Sequence, residues 1–425
     1  MIYPTSLFMR RLYTIILYAL IPLMIIRLFW KARKLPAYRQ RICERFTVGP
    51  RLQSADVWLH AVSLGEVVAA IPLIEALLAK HRQVIVTTTT PTGSQRLIAH
   101  FGRRIQHQYL PYDLPWALRR FYKQVNARIA IIMETELWPN LIHYARKYGL
   151  SIVIANARIS DKSFMQYKKI KFMLKPIFHK LNFILAQSEE DVHRFITLGA
   201  RSDLIANAGN MKFDIDKQSQ SSQIELIRQL KNQWGFERKV LIIASTHDQE
   251  EELWLQQFTQ LQQHIPNLLL LIAPRHPERF LSVFELSLAN HYNTALRSMP
   301  ASIEQSTEVI ILDCLGELLS FYQVCDYAFI GGSLVPVGGH NVLEPIAMQV
   351  PVLTGPYMQN SKSICQDLSI AGAIEIANNI DELVSKLITL DSKPHLREKQ
   401  IKNANTVMDN NKGAVLRHLQ VIDRL

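Results

Sequence analysis

A short polar turn at residues 60–66, HAVSLGE, places a carboxylate directly after the apolar run 57–62. Ser63 and Glu66 have the S-x-x-E spacing of a helix capping box, in which the serine accepts a first-turn amide and the glutamate reaches back to the serine amide. A glutamate at the end of a strand can also act as a general base that removes a proton from a hydroxyl. The spacing alone favours the capping role and leaves the catalytic role open.

Two further turns carry charged side chains that packing does not require. In METELWPN, residues 133–140, Glu134 and Glu136 follow an apolar run, although Glu136 could also simply stabilise the positive N-terminus of the next helix. In AGNMKFD, residues 208–214, a glycine and an asparagine allow a tight turn before Lys212. This lysine is either a point charge suited to phosphate or carboxylate, or an ordinary solvated side chain.

Two motifs in the second half of the chain suit a phosphate. In APRHPERF, residues 273–280, Arg275 offers a guanidinium fork, although a surface turn would explain this motif nearly as well. In FIGGSLVPVGGHNVLEP, residues 329–345, four glycines precede a predicted helix that starts near Asn341 and contains Glu344. Glycine-rich backbone before a helix offers free amides to an anion, and a nearby carboxylate can hold ribose hydroxyls.

The kind of ligand is narrowed by what the sequence lacks. There is no Walker loop and no G-x-G-x-x-G fingerprint, which favours a nucleotide with a single phosphate, and GELLSF at 316–321 could add a second helix N-terminus to its pocket. There is also no H-E-x-x-H, no G-x-S-x-G elbow and no metal-spaced cluster of cysteines and histidines. His247, Asp248 and Glu250 could imitate a metal site, but their position after a strand favours a helix start. We therefore predict no metal and no cofactor.

These motifs follow an alternation of strands and helices. A chain of 425 residues is long enough for two large domains, and its apolar runs predict buried parallel strands with crossover helices. The runs lie at 57–62, 84–89, 128–133, 151–156 and 183–187, and again at 240–245, 268–273, 309–313, 327–332 and 350–354. The predicted fold class is α/β: Rossmann-like, doubly wound domains at 36–215 and 216–425 face an interdomain cleft, a polar linker covers 216–222, and a helix after Pro394 closes the second domain.

Residues 1–35 predict a membrane anchor. Leu12 to Ile26 is an uncharged run of fifteen residues, which approaches the ~20 that a membrane span requires, and no small-residue cleavage site follows it. The segment from Arg27 to Arg51 holds eight basic residues and one acidic residue. Such a block is expected to remain on the cytoplasmic side, against anionic headgroups. An N-terminal core helix containing Pro22 is the alternative.

Charge and cysteine content also bear on the partners. The basic block carries more than half of the formal net charge of +12, so we assign that charge to anionic membrane lipids and predict no nucleic-acid binding. A second basic and apolar segment at 161–180 either lies at the membrane interface or is an ordinary crossover helix. The four cysteines show no paired spacing, which indicates a reducing compartment.

Six motifs together resemble one family. HAVSLGE, METELWPN, GNMKFD, PRHPER, GEL and GGHNVLEP occur in this order and with these spacings in the 3-deoxy-D-manno-octulosonic acid (Kdo) transferases of Gram-negative bacteria. The resemblance covers essentially the whole chain, and the set is highly specific although each motif alone is weak. It implies a GT-B fold and inverting transfer of Kdo from CMP-Kdo to a lipid A precursor, on the cytoplasmic face of the inner membrane, in lipopolysaccharide synthesis.

The resemblance also implies roles for individual residues. Glu66 resembles the general base that deprotonates the acceptor hydroxyl, and Glu136 and Lys212 resemble stabilisers of the transition state. The residues that resemble the CMP-binding segments are Pro274, Arg275, Gly316, Glu317, Leu318, Asn341, Val342, Leu343 and Glu344. Because a base committed to the Ser63 amide could not readily reach the acceptor, we also predict that the Glu66 side chain points into the interdomain cleft.

Two alternatives to this function remain at the level of the sequence. One is a different membrane-associated GT-B transferase, or a nucleotide-sugar epimerase. The other is a membrane-tethered scaffold that binds a nucleotide without catalysis. Incubation with CMP-Kdo and a lipid A precursor would separate these classes.

Overall fold

The chain folds as two compact units. The structure, a computed structural model, describes residues 4–33, 35–215 and 221–425, without the side chains of 4–7 and 221–226. One unit comprises Met1–Asp214 together with Asn411–Leu425, and the other comprises Ile215–Asn410. The predicted linker at 216–222 lies outside the described residues except for its last two serines, which begin a helix.

The first unit is built on a seven-stranded parallel sheet with the spatial order β3-β2-β1-β4-β5-β6-β7. Its strands are β1 (Val57–His60), β2 (Val84–Thr88), β3 (Gln106–Tyr109), β4 (Ile129–Met133), β5 (Ser151–Ala157), β6 (Phe183–Ala186) and β7 (Ile205–Asn207). Five of them are the predicted apolar runs. Consecutive residues of β1, such as Trp58 and Leu59, point to opposite faces of the sheet and belong to separate buried clusters, because helices cover both faces.

Eight helices of the first unit precede the second unit in the chain. They are α1 (Pro4–Lys31), α2 (Leu64–Ala79), α3 (Pro91–Phe101), α4 (Pro115–Val125), α5 (Pro139–Lys147), α6 (Asp161–Lys169), α7 (Lys171–Phe178) and α8 (Glu189–Leu198). Several begin at a hydroxyl that accepts a first-turn amide, as the capping rule predicts: Ser63 before α2, Ser160 before α6 and Ser188 before α8.

The N-terminal helix α1 is apolar and is attached to the first unit at its N-terminal half. Among the described residues it is the one helix long and apolar enough to cross a membrane, over Phe8–Lys31 with a mean hydropathy of 2.1. Arg10 Nη1 donates to Asn140 Oδ1 at 3.1 Å, and Asn140 Nδ2 donates to Thr14 Oγ1 at 2.9 Å. The helix is therefore consistent with the predicted anchor, and it also packs against α5 and α7.

The second unit repeats the architecture, with the sheet order β10-β11-β9-β8-β12-β13-β14. Its strands are β8 (Val240–Thr246), β9 (Leu269–Pro274), β10 (Thr294–Leu296), β11 (Val309–Ile311), β12 (Tyr327–Ile330), β13 (Val352–Thr354) and β14 (Glu375–Ile376). Its helices are α9 (Ser221–Trp234), α10 (Glu250–His264), α11 (Phe280–Ala289), α12 (Leu318–Tyr322), α13 (Leu343–Ala347), α14 (Lys362–Ile370), α15 (Ile380–Ser392) and α16 (Pro394–Asn411). The five predicted apolar runs are again strands.

The last helix, α17 (Ala414–Ile422), returns to the first unit. The C-terminal helix was expected to close the second domain, whereas α17 packs against α2 of the first unit. Asp214 fixes this return, because its carboxylate accepts the amides of Gly413 and Val415, each at 2.7 Å. A hydrogen bond between residues far apart in the sequence also holds α17 on the first unit: the amide of Asn156 donates to His418 Nε2 at 2.9 Å.

His418 makes the stability of the first unit dependent on pH. Its Nδ1 donates to Ala414 O at 2.7 Å, so Nε2 must stay unprotonated to accept from Asn156. Burial lowers the pKa of His418 to about 4. Because the folded state holds the neutral ring, this contribution is complete above the ordinary pKa of about 6.5 and is lost as the pH falls toward 4.

We expect acidification from pH 7 to pH 4 to cost about 3 kcal/mol through His418 alone. Thermal unfolding followed by tryptophan fluorescence should therefore show a His418→Gln variant that is less stable at pH 7 but less sensitive to acid than the wild type. His395→Gln, on an exposed residue, should keep the wild-type pH dependence. Equal acid sensitivity of the wild type and the His418 variant would contradict this account.

Candidate active site

The candidate residues of the first unit follow the carboxyl ends of its strands. Glu66 follows β1, Glu136 follows β4 and Lys212 follows β7. The sheet order reverses between β1 and β4. Ligands of open parallel sheets bind outside the carboxyl ends of the strands at such a reversal point. Glu66 and Glu136 therefore lie at the edge of the sheet where chemistry is expected.

Glu66 lies at the N-terminus of α2 and folds back onto it. The amide of Val62 donates to Glu66 Oε2 at 2.7 Å, and Ser63 Oγ donates to Oε1 at 2.9 Å. These donors hold both carboxylate oxygens near the helix end, and the orientation into the interdomain cleft stays a prediction. The capping partner is the Val62 amide rather than the Ser63 amide. Each oxygen still has a second lone pair with which to accept a proton.

The surroundings of Glu66 suit a base. Its side chain is buried, with 7% exposed. Burial raises the pKa of Glu66 to about 7; the Val62 amide lowers it, and the charges of Glu134 and Glu136 raise it further. A carboxylate with a pKa close to the working pH is the arrangement that general base catalysis favours. The capping contacts and the raised pKa coexist in one side chain.

Glu136 is oriented by its neighbour rather than by a helix. Trp138 Nε1 donates to Glu136 Oε2 at 2.6 Å, and α5 begins at Pro139 without a side-chain cap. Glu136 therefore bonds to Trp138 and not to a first-turn amide of α5; this contact does not test the alternative in which its charge stabilises the positive N-terminus of that helix. Burial raises the pKa of Glu136, the hydrogen bond from Trp138 lowers it, and the charge of Glu134 raises it. Glu66 and Glu136 are close enough to influence each other electrostatically.

Lys212 joins the same group through a residue that the sequence analysis named but gave no role. Its Nζ lies 4.0 Å from Glu134 Oε1. Glu134 has a φ of 55°, a left-handed conformation that costs energy in a residue with a side chain and that often marks a functional site. The lysine is held by its turn, where Asn210 Oδ1 accepts the Lys212 amide at 3.0 Å. The predicted catalytic residues of the first unit therefore form one group.

In the second unit, Arg275 lies among three histidines at the carboxyl ends of β8, β9 and β12. His247 Nε2 and His340 Nε2 are 2.8 Å apart with nearly parallel rings, and the ring of His276 is 5.3 Å from that of His247. Burial lowers the pKa of His340 to about 4, helped by the charges of His247 and Arg275. The sequence analysis considered His247 only as a metal ligand and gave His276 and His340 no role, since their meeting depends on strand order.

The two arginines of the PRHPER motif differ in their side-chain contacts. Arg279 is committed to the fold, because it pairs with Glu251 at 2.5 Å and with Asp248 at 3.1 Å. Arg275 makes no side-chain hydrogen bond or ion pair with the described residues, and its amide donates to Thr246 O at 3.0 Å. It follows Pro274, the last residue of β9. Its guanidinium is therefore available to a ligand.

The other residues that were predicted to bind the nucleotide lie at the starts of two short helices in the second unit. Gly316, Glu317 and Leu318 lead into α12, and Glu317 is fixed by Arg297 at 3.0 Å. Asn341, Val342, Leu343 and Glu344 lead into α13, where Asn341 Oδ1 accepts the Leu343 amide at 3.0 Å and Asn341 Nδ2 donates to Glu344 Oε1 at 3.0 Å. The two helices contact each other, and Asn341 directly follows His340.

The glycine loop differs from its prediction. We expected free amides that bind an anion, but the carboxylate of Glu250 accepts the amides of Gly332, Ser333 and Leu334 at 2.7–3.1 Å. It also accepts the amide of His247 at 3.0 Å. A Cβ added at Gly331 would meet Ser245 O at 2.4 Å, so this glycine allows close packing of strand ends rather than ligand approach. The amides at the start of the loop therefore bind the Glu250 carboxylate rather than a ligand.

Metal ligands are not grouped in the part of the chain that the structure describes. There, no cluster of three or more histidine, cysteine, aspartate or glutamate side chains could hold an ion. The motif at 247–250, which could imitate a metal site, starts helix α10 at Glu250, as predicted.

Comparison with known proteins assigns the family. A sequence model described as 3-deoxy-D-manno-octulosonic-acid transferase (kdotransferase) matches residues 40–215. A 3-deoxy-D-manno-octulosonic acid transferase of Haemophilus influenzae is 38% identical, over 97% of this chain and 98% of the relative. The chain belongs to the Kdo transferase family. The Bordetella pertussis transferase of the same name is 33% identical over 97% of this chain and 99% of its own.

Solved structures of low identity share the GT-B fold of this Kdo transferase. A glycosyltransferase from Rickettsia africae superimposes with a TM-score of 0.54 at 15% identity, over 87% of this chain and 97% of that one. A UDP-N-acetylglucosamine 2-epimerase gives 0.54 at 11% identity, over 83% and 91%. Both transferases and epimerases therefore use this fold. The 38% identity to a Kdo transferase, against 11% to the epimerase, separates this chain from the epimerases.

Proposed function

We propose that the protein transfers Kdo from CMP-Kdo to a lipid A precursor, with inversion at the anomeric carbon. Family membership supports the reaction, and one observation supports this mechanism most directly: Glu66, with a pKa raised to about 7, lies close to Glu136 at the reversal point of the first sheet. The CMP product carries one phosphate, which agrees with the absence of a Walker loop from the sequence.

The chemistry follows from these residues. The Glu66 carboxylate takes the proton of the acceptor hydroxyl, and the oxygen attacks the anomeric carbon of Kdo on the face opposite the phosphate. The bond from that carbon to the phosphate oxygen breaks, and CMP leaves with the electron pair. Lys212 and Glu136 stabilise the charges of the transition state, and Arg275 neutralises the departing phosphate.

The donor is proposed to bind the second unit and the acceptor the first. Arg275 contacts the phosphate of CMP, and the starts of α12 and α13 bind the nucleoside through Gly316–Leu318 and Asn341–Glu344. We further propose that α1 anchors the protein at the cytoplasmic face of the inner membrane. Because Arg10 and Thr14 contact Asn140 of the first unit, the helix lies along the bilayer surface rather than crossing it, and the basic residues that follow it meet anionic lipids.

One assay tests the reaction. The purified full-length protein is incubated in detergent with CMP-Kdo and a lipid A precursor, and CMP release and the mass of the lipid product are measured. Equal amounts of CMP and glycosylated lipid are expected. CMP release without lipid product would indicate hydrolysis, and the absence of both would favour a non-catalytic scaffold.

Arg275→Ala is expected to weaken CMP binding about tenfold or more, because a charge-assisted hydrogen bond is worth about 1.5–3 kcal/mol. Isothermal titration calorimetry with CMP measures this change. Lys399→Ala, an exposed lysine of the same unit, controls for the loss of one positive charge. An unchanged CMP affinity of the Arg275 variant would remove this residue from the phosphate site.

A further inference from the structure

A large cavity in the first unit connects the N-terminal helix to the candidate catalytic turn. Its volume is about 950 Å³, near the upper end of the roughly 300–1,000 Å³ of small-molecule sites. The start of α1 forms one wall, α7 and the end of α6 form another, and the turn from Thr135 to Pro139 forms the third. All of these elements belong to the same unit.

The walls of this cavity suit an alkyl chain. Phe8, Tyr13, Trp138, Phe172 and Ile177 contribute large apolar surfaces to it. Walls of this kind offer water few hydrogen-bond partners and favour an apolar ligand. Transfer of a hydrophilic sugar requires no such surface, so the cavity has a different occupant from the donor sugar.

The rim of the cavity meets the surface where lipid is expected. Phe8 and Phe172 both line the cavity and are both 66% exposed. Along α1 the large side chains of Ile15, Leu23 and Ile26 are also exposed. The apolar face of the helix and the apolar interior of the cavity are therefore continuous at Phe8.

Two cations lie in the cavity wall without an offsetting ion pair. Arg10 and Lys180 line it, and Lys180 makes no ion pair or side-chain hydrogen bond with the described residues. Burial lowers the pKa of Lys180, and the charge of Arg10 lowers it further. Asp113 is the acid that acts on Arg10, but its oxygens already accept the amides of Asn140 and Leu141. An anion here would be stabilised by both cations.

The cavity also touches the chemistry. Glu136 and Trp138 line it, and they are joined by the 2.6 Å hydrogen bond from Trp138 Nε1 to Glu136 Oε2. A ligand that fills the cavity therefore lies against a residue that we place in the transition state. A bilayer lipid that only anchors the protein has no need to lie beside Glu136. A lipid substrate must reach this residue in order to react.

We propose that this cavity binds an acyl chain of the lipid acceptor, with Arg10 and Lys180 facing an anionic group of the same molecule. The proposal rests on the proposed function and deepens it, because it assigns part of the acceptor site to the N-terminal helix. The helix is then both an anchor and a wall of the substrate site. The acceptor moves from the bilayer along α1 until its sugar reaches the Glu136 turn.

The test compares two apolar-to-acidic variants of the full-length protein in detergent. Phe172→Asp places a charge at the cavity rim, and Met165→Asp changes a similarly exposed residue of α6 that does not line the cavity. For the acylated acceptor, Phe172→Asp is expected to raise KM about tenfold or more with little change in kcat. Met165→Asp should keep the wild-type KM. The same acceptor after chemical deacylation should be used equally well by all three proteins.

Lys180→Gln tests the anionic group, with Lys162→Gln on α6 as the control. The Lys180 variant is expected to raise KM about tenfold for the phosphorylated acceptor, and to lose this defect when the acceptor has been dephosphorylated. Equal changes in KM for the cavity and control variants would overturn the proposal, as would inhibition by phosphatidylglycerol that is noncompetitive with the acceptor and is lost in Phe172→Asp. Failure of the wild type to glycosylate either acceptor would instead refute the proposed function.

Discussion

Glu66→Gln is expected to lower the rate of Kdo transfer by about 10²- to 10⁴-fold, the usual cost of losing a general base, and to leave CMP affinity unchanged. Glutamine keeps an oxygen for the Val62 amide, and its nitrogen can donate to Ser63 Oγ, so α2 keeps its cap. The carboxamide of glutamine, however, cannot act as a general base. Steady-state kinetics and CMP calorimetry on the same preparation separate the two effects.

The pH profile sharpens this test. Only the ionised carboxylate accepts a proton, and the pKa of Glu66 is raised to about 7. The wild-type kcat/KM should therefore rise with pH through a midpoint near 7, and this rise should be absent from the residual activity of the glutamine variant. Glu75→Gln, on the same helix and paired with Arg104, should keep both the rate and the midpoint.

Glu66→Gln that kept more than a tenth of the wild-type turnover would return the residue to a purely structural role. Loss of CMP binding in the same variant would also contradict the assignment, because it would show that the substitution disturbs more than the acceptor side. The variant thus separates the capping role from the catalytic role, which the structure shows together in one side chain.

The sequence was sufficient for the elements that depend on local composition. Each of the ten apolar runs contains a strand, and Ser63 caps the start of α2 as expected. The short strands β3, β7, β10 and β14 were missed. β3, for example, reads QHQY and lies at the edge of its sheet, where one neighbouring strand suffices and no long apolar run is needed. Their recognition requires the partner strand.

Contacts between distant residues explain the remaining differences. Glu250 and Gly332 are 82 residues apart, and they meet because β8 and β12 are neighbours in the sheet. Asn156 and His418 are 262 residues apart and meet because the chain returns to the first unit. No local pattern in the glycine loop or the C-terminal helix reports these partners. Glu66, Glu136 and Arg275, in contrast, lie in turns after strands that the sequence predicts, so their positions follow from the strand pattern.

Glu250→Ala is the second substitution with a large expected effect. The carboxylate accepts four amides from two segments of the second unit. Alanine leaves these buried and partly buried donors without an acceptor. Each unsatisfied buried donor costs about 1–3 kcal/mol. Because the loop can relax toward water, we expect a total loss of about 3–5 kcal/mol rather than the full sum.

The loss should be local and measurable by hydrogen exchange of the full-length protein. In Glu250→Ala, protection of the amides of Gly332, Ser333 and Leu334 should fall. CMP affinity should fall with it, because this loop leads into Asn341, which we propose contacts the nucleoside. Glu252→Ala, an exposed residue two positions along α10, should change neither. Loop amides that stay protected in the alanine variant would contradict this account, because they would show that contacts other than Glu250 hold the loop.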